Sequence, residues 1–205
     1  MRQQQRCNEL LRESQSLLEH VAITAQALKP HAVHIVYGYG GEQVPQALGH
    51  LGAIWALQAE QKGTGHAVQQ ALPKIPPGDV ALILYGDVPL VQPATLKKLV
   101  TKAAKGQVAV LTAEMANPTG YGRILRGERG AVIAIVEEKD ATPQQRQLSE
   151  INTGLIACPA GKLVKWIARL KPNNAQKEYY LTDVIGLAVK DGVAVAAVAA
   201  ESEDE

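Results

Sequence analysis

Three stretches of the chain hold residue types that could do chemistry at the spacing they show. The first is ALILYGDVPL, where Asp87 closes an apolar run directly after Tyr85 and Gly86. In an open α/β sheet, ligands bind beyond the carboxyl ends of the strands. Gly86 lets the chain turn tightly beside such a ligand. A carboxylate presented there suits a hard cation such as Mg2+, which is usually held by one or two carboxylates together with substrate phosphates. An aspartate at this point also caps the turn that follows, and the residue alone leaves both readings open. The second stretch is QKGTGHA, where Gly63 and Gly65 flank Thr64 just ahead of a helix. Backbone N–H groups exposed by that turn could bind an anion or read the edge of a base. Gly-Thr-Gly is equally an ordinary helix entry, and His66 reads as a helix-surface or core-edge residue. The third is a dispersed polar set: Gly122 in GYG, Glu137, Asn152 in INTG, and Tyr180 and Thr182 in EYYLTD. Amides, hydroxyls and a carboxylate supply the donors and acceptors that sugar hydroxyls require. Singly, Asn152 fits a turn, Tyr180 a core residue with a polar tip, and Thr182 with Asp183 a helix cap.

Other chemistries are excluded by what is absent. YGYGGEQ follows a strand and matches the first two glycines of a dinucleotide fingerprint, Gly38 and Gly40, but Gln43 stands at the third. No acid ends the next strand to hold a ribose. There is no P-loop, no zinc spacing and no G-x-S-x-G elbow. The 205 residues carry a formal net charge of +1 and are 46% hydrophobic. That balance argues against a nucleic-acid partner, which favours a strongly basic face, and against disorder. Cys7 and Cys158 are too few and too far apart for a disulfide framework. No apolar run approaches the roughly 20 residues of a membrane helix. The polar N-terminus has no signal-peptide core, so the expected setting is cytoplasmic, with no membrane partner.

The elements that must position these residues alternate along the chain. Apolar residues over 9–28 form one helical stripe, ended by Lys29-Pro30. AVHIVYG reads as a buried strand, GEQVPQALGH as a short helix interrupted at Pro45, and AIWALQ as a second strand. Thr64 is expected to cap a helix running to about Leu72. VALILYGD suits a parallel strand covered on both faces. Pro93 opens a helix ending near Ala104, and QVAVLTAEM is the next strand. The order then changes: YGRILR and AVIAIVEEK read as a hairpin, and SEINTGLIAC as a strand. Helices follow near 163–170 and 182–190, then the strand VAVAAVA. The expectation is an α/β domain with a mixed, mostly parallel sheet, helices on both faces and an antiparallel addition.

In this order the segments resemble one family. From about Leu17 to Ala200 the chain is similar to the N-terminal uridylyltransferase domain of the bifunctional bacterial enzyme that makes UDP-N-acetylglucosamine. The matching runs are VHIVYGYGG, LQAEQKGTGHA, LYGDVPL, NPTGYGRI, IVEEKDAT, EINTG and NNAQKEYYLTD. The resemblance implies the Rossmann-like nucleotide-diphospho-sugar transferase fold. It implies that Gln58, Gly63 and Thr64 contact uracil, that Tyr85 and Gly86 line the nucleotide site, and that Asp87 binds Mg2+. It further implies that Gly122, Glu137 and Asn152 hold the amino sugar, with Tyr180 and Thr182 near its phosphate. The family joins N-acetylglucosamine-1-phosphate to UTP, giving UDP-N-acetylglucosamine and pyrophosphate.

The sequence also departs from the family. The family opens with a strand and a loop like L-A-A-G-x-G-T-R-M that binds the triphosphate, whereas here no glycine precedes Gly38. The family's second magnesium ligand, an asparagine after the last strand, and its acetyltransferase β-helix find no counterpart in these 205 residues. Residues 1–16 are therefore expected to be a divergent segment, and 17–205 an incomplete nucleotidyltransferase domain of impaired turnover. The alternative is an inactive relative that binds uridine or an amino sugar, or an interaction module. In the family the absent first strand lies between those matching VHIVYG and ALILYGD. These two are expected to pair directly, or else to leave costly unpaired backbone groups.

Overall fold

The computed structural model describes residues 16–201. Helix α1 (Leu17–Gln26) begins with a capping box: Ser16 Oγ accepts from Glu19 N, and Glu19 accepts from Ser16 N. Such a cap is worth about 1 kcal/mol. The earlier turns expected for this helix lie outside the described residues. Strand β1 (His34–Tyr37) pairs in parallel with β2 (Ile54–Leu57). Between them, α2 (Gln43–Ala47) runs through Pro45 without interruption. Pro45 sits in the first turn, where a missing N–H costs no helical bond. Next come α3 (Thr64–Ala71), β3 (Val80–Ile83), α4 (Pro93–Ala104) and β4 (Val108–Glu114). The hairpin β5 (Gly122–Arg126) and β6 (Val132–Val136) is followed by the long β7 (Glu150–Pro159). Helices α5 (Ala160–Ile167) and α6 (Asp183–Lys190) and strand β8 (Val195–Ala199) complete the fold.

The main sheet has six strands among the described residues, in the order β6-β5-β7-β4-β8, with β3 also on β7. Strands β3, β4 and β5 each lie antiparallel to β7, and β8 is parallel to β4. Four of the six strands thus share one direction, and β7 enters among them the opposite way. The expected parallel neighbours of β3 are therefore replaced by an antiparallel one. Both faces are covered, as alternation along the strands requires. Val108, Val110, Ile156 and Cys158 meet Leu163 and Trp166 of α5 and Val184 and Ile185 of α6. Ala109, Leu111, Leu155 and Ala157 meet Leu96 and Leu99 of α4. Burial pushes the Cys158 thiol up to about 12, which leaves it unreactive. Cys7 lies outside the described residues.

The expected closure of β1 onto β3 does not occur. The two strands stand in separate sheets, and β1–β2 is a two-stranded unit of its own. It is held by side chains rather than by a ladder: Ile35 and Leu51 pack on Ala22 of α1. Lys74 Nζ donates to Trp55 O at 3.1 Å, and His31 Nδ1 lies 3.0 Å from Asp79 Oδ2. His34 Nδ1 is buried with no partner among the described residues, and burial lowers its pKa.

Two outcomes follow. Two-stranded sheets are marginal without further support, so amide exchange at Ile35 and Trp55 should be faster by orders of magnitude than at Val110 and Ile156. Equal protection would contradict the separation. For His34, a folded pKa below the unfolded value means the unfolded chain binds more protons, so stability falls as pH drops below about 6.5. Urea unfolding at about pH 7.5 and about pH 5.5 should show a smaller acid loss in His34→Gln than in the wild type.

Candidate functional site

The sugar-side residues are brought together by strand register. Arg123 of β5 faces Val136 of β6, which sets Gly122 beside Glu137. Gly122 in turn faces Asn152 of β7. A Cβ built on Gly122 would stand 3.1 Å from Ile135 Cγ2 and 3.2 Å from Glu137 Oε2, so any larger residue crowds that carboxylate. Buried Arg123 clamps the base of the hairpin. It donates to Leu148 O at 3.0 Å, to Arg146 O and to Tyr121 O, and pairs with Glu138 at 2.7 Å. A buried guanidinium is tolerated when its donors are satisfied in this way. Asn152 is buried, and its Oδ1 accepts from Gly154 N at 3.1 Å, which leaves its amide NH2 as its remaining donor. Thr182 Oγ1 donates to Glu137 Oε1 at 2.8 Å.

The base-side turn is stitched to the segment that carries Thr182. Gly63 adopts φ +105 and is the N-cap of α3; Thr64 is its first helical residue, so the expected Thr64 cap is displaced by one position. The Thr64 hydroxyl works across the chain instead, accepting from Leu181 N at 3.0 Å. Gly65 N donates to Tyr179 O at 2.7 Å, and Tyr179 N to Lys62 O at 2.8 Å. Residues 174–182 form a strap from this turn to the sugar side, where Ala175 N donates to Asp140 Oδ1 at 2.9 Å. Asn174 shapes the strap: its Oδ1 accepts from Gln176 N and Glu178 N. Sequence reasoning missed Asn174, Asp140 and the Tyr179 backbone as positioning groups. The Asn-Asn turn signal in PNNAQ was there to be used; the partner across the chain was not.

Buried Gln58 is committed in part. Its Nε2 donates to Gly63 O at 3.1 Å and lies 3.0 Å from His66 Nδ1, leaving Oε1 for a ligand. His66 is held by Gln58 and Gln70, a structural role. Tyr180 donates to Gln176 Oε1, and burial followed by Asp140 pushes its phenol up to about 12. Burial and then Glu137 raise the Tyr85 pKa, whereas Thr64 lowers it and Asp87 raises it. Burial, Asp140 and Glu137 also raise the pKa of Asp183 at the start of α6.

Asp87 is exposed and enters no ion pair among those described. No group of three or more His, Cys, Asp or Glu residues able to hold a metal occurs among the described residues. A single free carboxylate at a ligand-facing turn fits Mg2+ that draws its remaining ligands from phosphates and water. No helix among the described residues is long and apolar enough to cross a membrane.

Two recesses compete for attention. A recess of about 240 Å³ is lined by Gln58, Gly63, Thr64 and Glu178. A larger one of about 520 Å³ lies between Thr112, which faces Asn152 across the sheet, and Glu114, Arg126, Glu150 and Ala199. Its charges are already spent on each other. Arg126 grips Glu150 through bonds of 2.7 and 2.6 Å, and Ser149 donates to Glu114 at 2.6 Å. The smaller recess, open to the strap and the turn, is the better candidate.

Residues 7–160 match the family model described as MobA-like NTP transferase domain. Bifunctional protein GlmU of Aromatoleum aromaticum is 53% identical over 182 residues, covering 89% of this chain and 40% of that protein. GlmU of Nitrosospira multiformis is 55% identical over 181 residues, covering 88% and 39%. GlmU of Pseudomonas aeruginosa is 53% identical over 180 residues, again covering 88% and 39%. The chain therefore spans about 40% of the length of these curated relatives. In fold it is similar to the crystal structure of UDP-glucose pyrophosphorylase complexed with UDP-glucose, with a TM-score of 0.67 at 18% identity, covering 85% of this chain and 75% of that one.

The Thr64–Leu181 bond is open to a direct check. Thr64→Ala leaves a backbone N–H of a buried residue without its acceptor, a loss of about 1–3 kcal/mol. Urea unfolding should show that loss, and Thr64→Ser should restore most of it.

Proposed function

The chain belongs to the MobA-like NTP transferase domain family, and from that premise we propose that it is a sugar-phosphate nucleotidyltransferase domain acting on UTP and N-acetylglucosamine-1-phosphate. The likeness to GlmU proteins supports the nucleotidyltransferase class, and the choice of substrates rests on the motif runs LQAEQKGTGHA, LYGDVPL, EINTG and NNAQKEYYLTD. The observation that carries the reading is the convergence of Gly122, Glu137 and Asn152 by strand register, with Thr182 bonded to Glu137 and the same segment bonded to Thr64 through Leu181. On this reading Gln58 Oε1 and the Gly63–Thr64 turn take the uracil, with Tyr85 and Gly86 beside the nucleotide. Gly122, Glu137 and the Asn152 amide take the amino sugar, and Tyr180 and Thr182 stand near its phosphate.

In the reaction, an oxygen of the sugar phosphate attacks the α-phosphorus of UTP. The bond to the β-phosphate breaks, leaving UDP-N-acetylglucosamine and pyrophosphate. The residues bind and orient; none forms a covalent bond to substrate. Asp87 would hold Mg2+, whose contribution is to neutralise phosphate charge. Glu137, anchored by Thr182, accepts from a sugar hydroxyl, and Asn152 donates to another. The Gly-Thr-Gly turn and the strap close around the base and the sugar phosphate.

Residues 1–37 contain no glycine, so none of them forms a glycine-rich loop to wrap a triphosphate. We therefore set turnover by this 205-residue chain well below that of its longer relatives, with binding of UDP-N-acetylglucosamine retained. Pyrophosphate release with UTP, N-acetylglucosamine-1-phosphate and Mg2+ should be slow, and Asp87→Asn should bring it to background. Calorimetry should still detect the product nucleotide sugar. Turnover equal to that of a full-length relative would refute the impairment, and absence of both binding and turnover would refute the substrate assignment.

A further inference from the structure

Strand β7 carries more residues than its neighbour β4 can match. Val110 faces Ile156, but Thr112 faces Asn152, so β4 advances two residues while β7 covers four. The extra residues form a bulge at 153–155. On its other edge, β7 pairs with β5 through Asn152 and Ile151, and with β3 from Ile156 onward. The bulge therefore fills the interval in which β7 has left β5 and not yet reached β3. Local bonds fix it: Asn152 Oδ1 accepts from Gly154 N, Thr153 Oγ1 donates to Leu111 O at 3.0 Å, and Leu155 N donates to Thr153 Oγ1. Gly154 adopts φ +88, and the Tyr85 ring lies against it. A Cβ built there would stand 2.6 Å from Tyr85 Cδ2 and 2.9 Å from Cζ, and closer still to Cε2. No side chain fits under that ring.

We infer that Gly154 is a positioning residue that sets the Tyr85-Gly86-Asp87 turn and the Asn152 amide in one register. Bulges re-aim side chains at sheet sites, and this one acts on two. Its N–H engages Asn152 Oδ1 and so fixes the carboxamide, leaving the NH2 as its remaining donor. Its bare Cα seats the Tyr85 ring, and the ring sets where the chain turns into Asp87. The sugar-binding amide and the metal-binding carboxylate are thus placed by one residue that touches neither ligand. The inference rests on the proposed function for what is bound, but the coupling between Gly154 and the Asp87 turn does not depend on it.

The test is a double-mutant cycle on the full 205-residue chain, with Gly154→Ala, Tyr85→Leu and the pair. Backbone amide resonances are read at Gly86, Asp87 and Asn152, and UDP-N-acetylglucosamine affinity with Mg2+ by calorimetry. Gly154→Ala should shift all three amides and weaken binding on the order of tenfold or more, as small misplacements do. In the Tyr85→Leu background the same substitution should leave Gly86 and Asp87 nearly unmoved, because the ring that transmits the change is gone. Shifts confined to 152–155, or equal shifts at Asp87 in both backgrounds, would overturn the inference and reduce Gly154 to a conformational requirement of the bulge. If Gly154→Ala does not fold, Tyr85→Leu alone must shift the Gly154 and Asn152 amides, and their failure to move would overturn it equally. If the wild type binds no nucleotide sugar, the substrate assignment fails while the amide shifts still judge the coupling.

Discussion

Along one edge, β7 hydrogen-bonds first to β5 and then to β3, and the bulge at 153–155 lies between the two pairings. Regular alternation of faces is interrupted there. Asn152 itself stays in register with Gly122 and Thr112, and the bond from Gly154 N holds its carboxamide. The hairpin bearing Gly122 and Glu137 hangs from the first part of β7, and the strand leading to Asp87 hangs from the second. The two halves of the candidate site meet where the strand changes partner. Thr64, Leu181 and the 174–182 strap then tie the base side to the same place.

The sequence was most informative where the signal is local. The runs QVAVLTAEM and SEINTGLIAC located β4 and β7, and in the fold their successive residues bury on opposite faces of the main sheet. Pro93 marked the start of α4, and the glycine cluster 127–130 marked the hairpin turn. Local signals also misled. Pro45 looked like a break but occupies a first turn. Thr64 looked like a cap, yet its hydroxyl is used 117 residues away by Leu181. The apolar run of β3 suggested parallel neighbours, but continuous hydrophobicity reports two covered faces and says nothing of a partner's direction. The site residues themselves came from motif resemblance; their convergence depends on register, which no single segment encodes.

The separation of β1–β2 from the main sheet has a physical cost. Neither β1 nor β3 gains a backbone partner on its other edge among the described residues. The junction relies instead on Lys74, on the His31–Asp79 pair and on apolar packing of α1. Exposed ion pairs of this kind contribute little, so packing carries most of the attachment. Gln58 follows β2 directly, so the end of the site proposed to read the base belongs to the less firmly held unit. The end proposed to read the sugar belongs to the main sheet.

The central claim is that base-side and sugar-side residues form one binding site around Tyr85, and not around the larger recess at Arg126. Chemical-shift mapping with UDP-N-acetylglucosamine addresses it most directly. The account requires shifts at Gln58, Gly63, Gly122, Glu137 and Asn152 on a single binding curve. Shifts clustered at Thr112, Arg126 and Ala199, with the Gly63 and Asn152 amides unmoved, would contradict it.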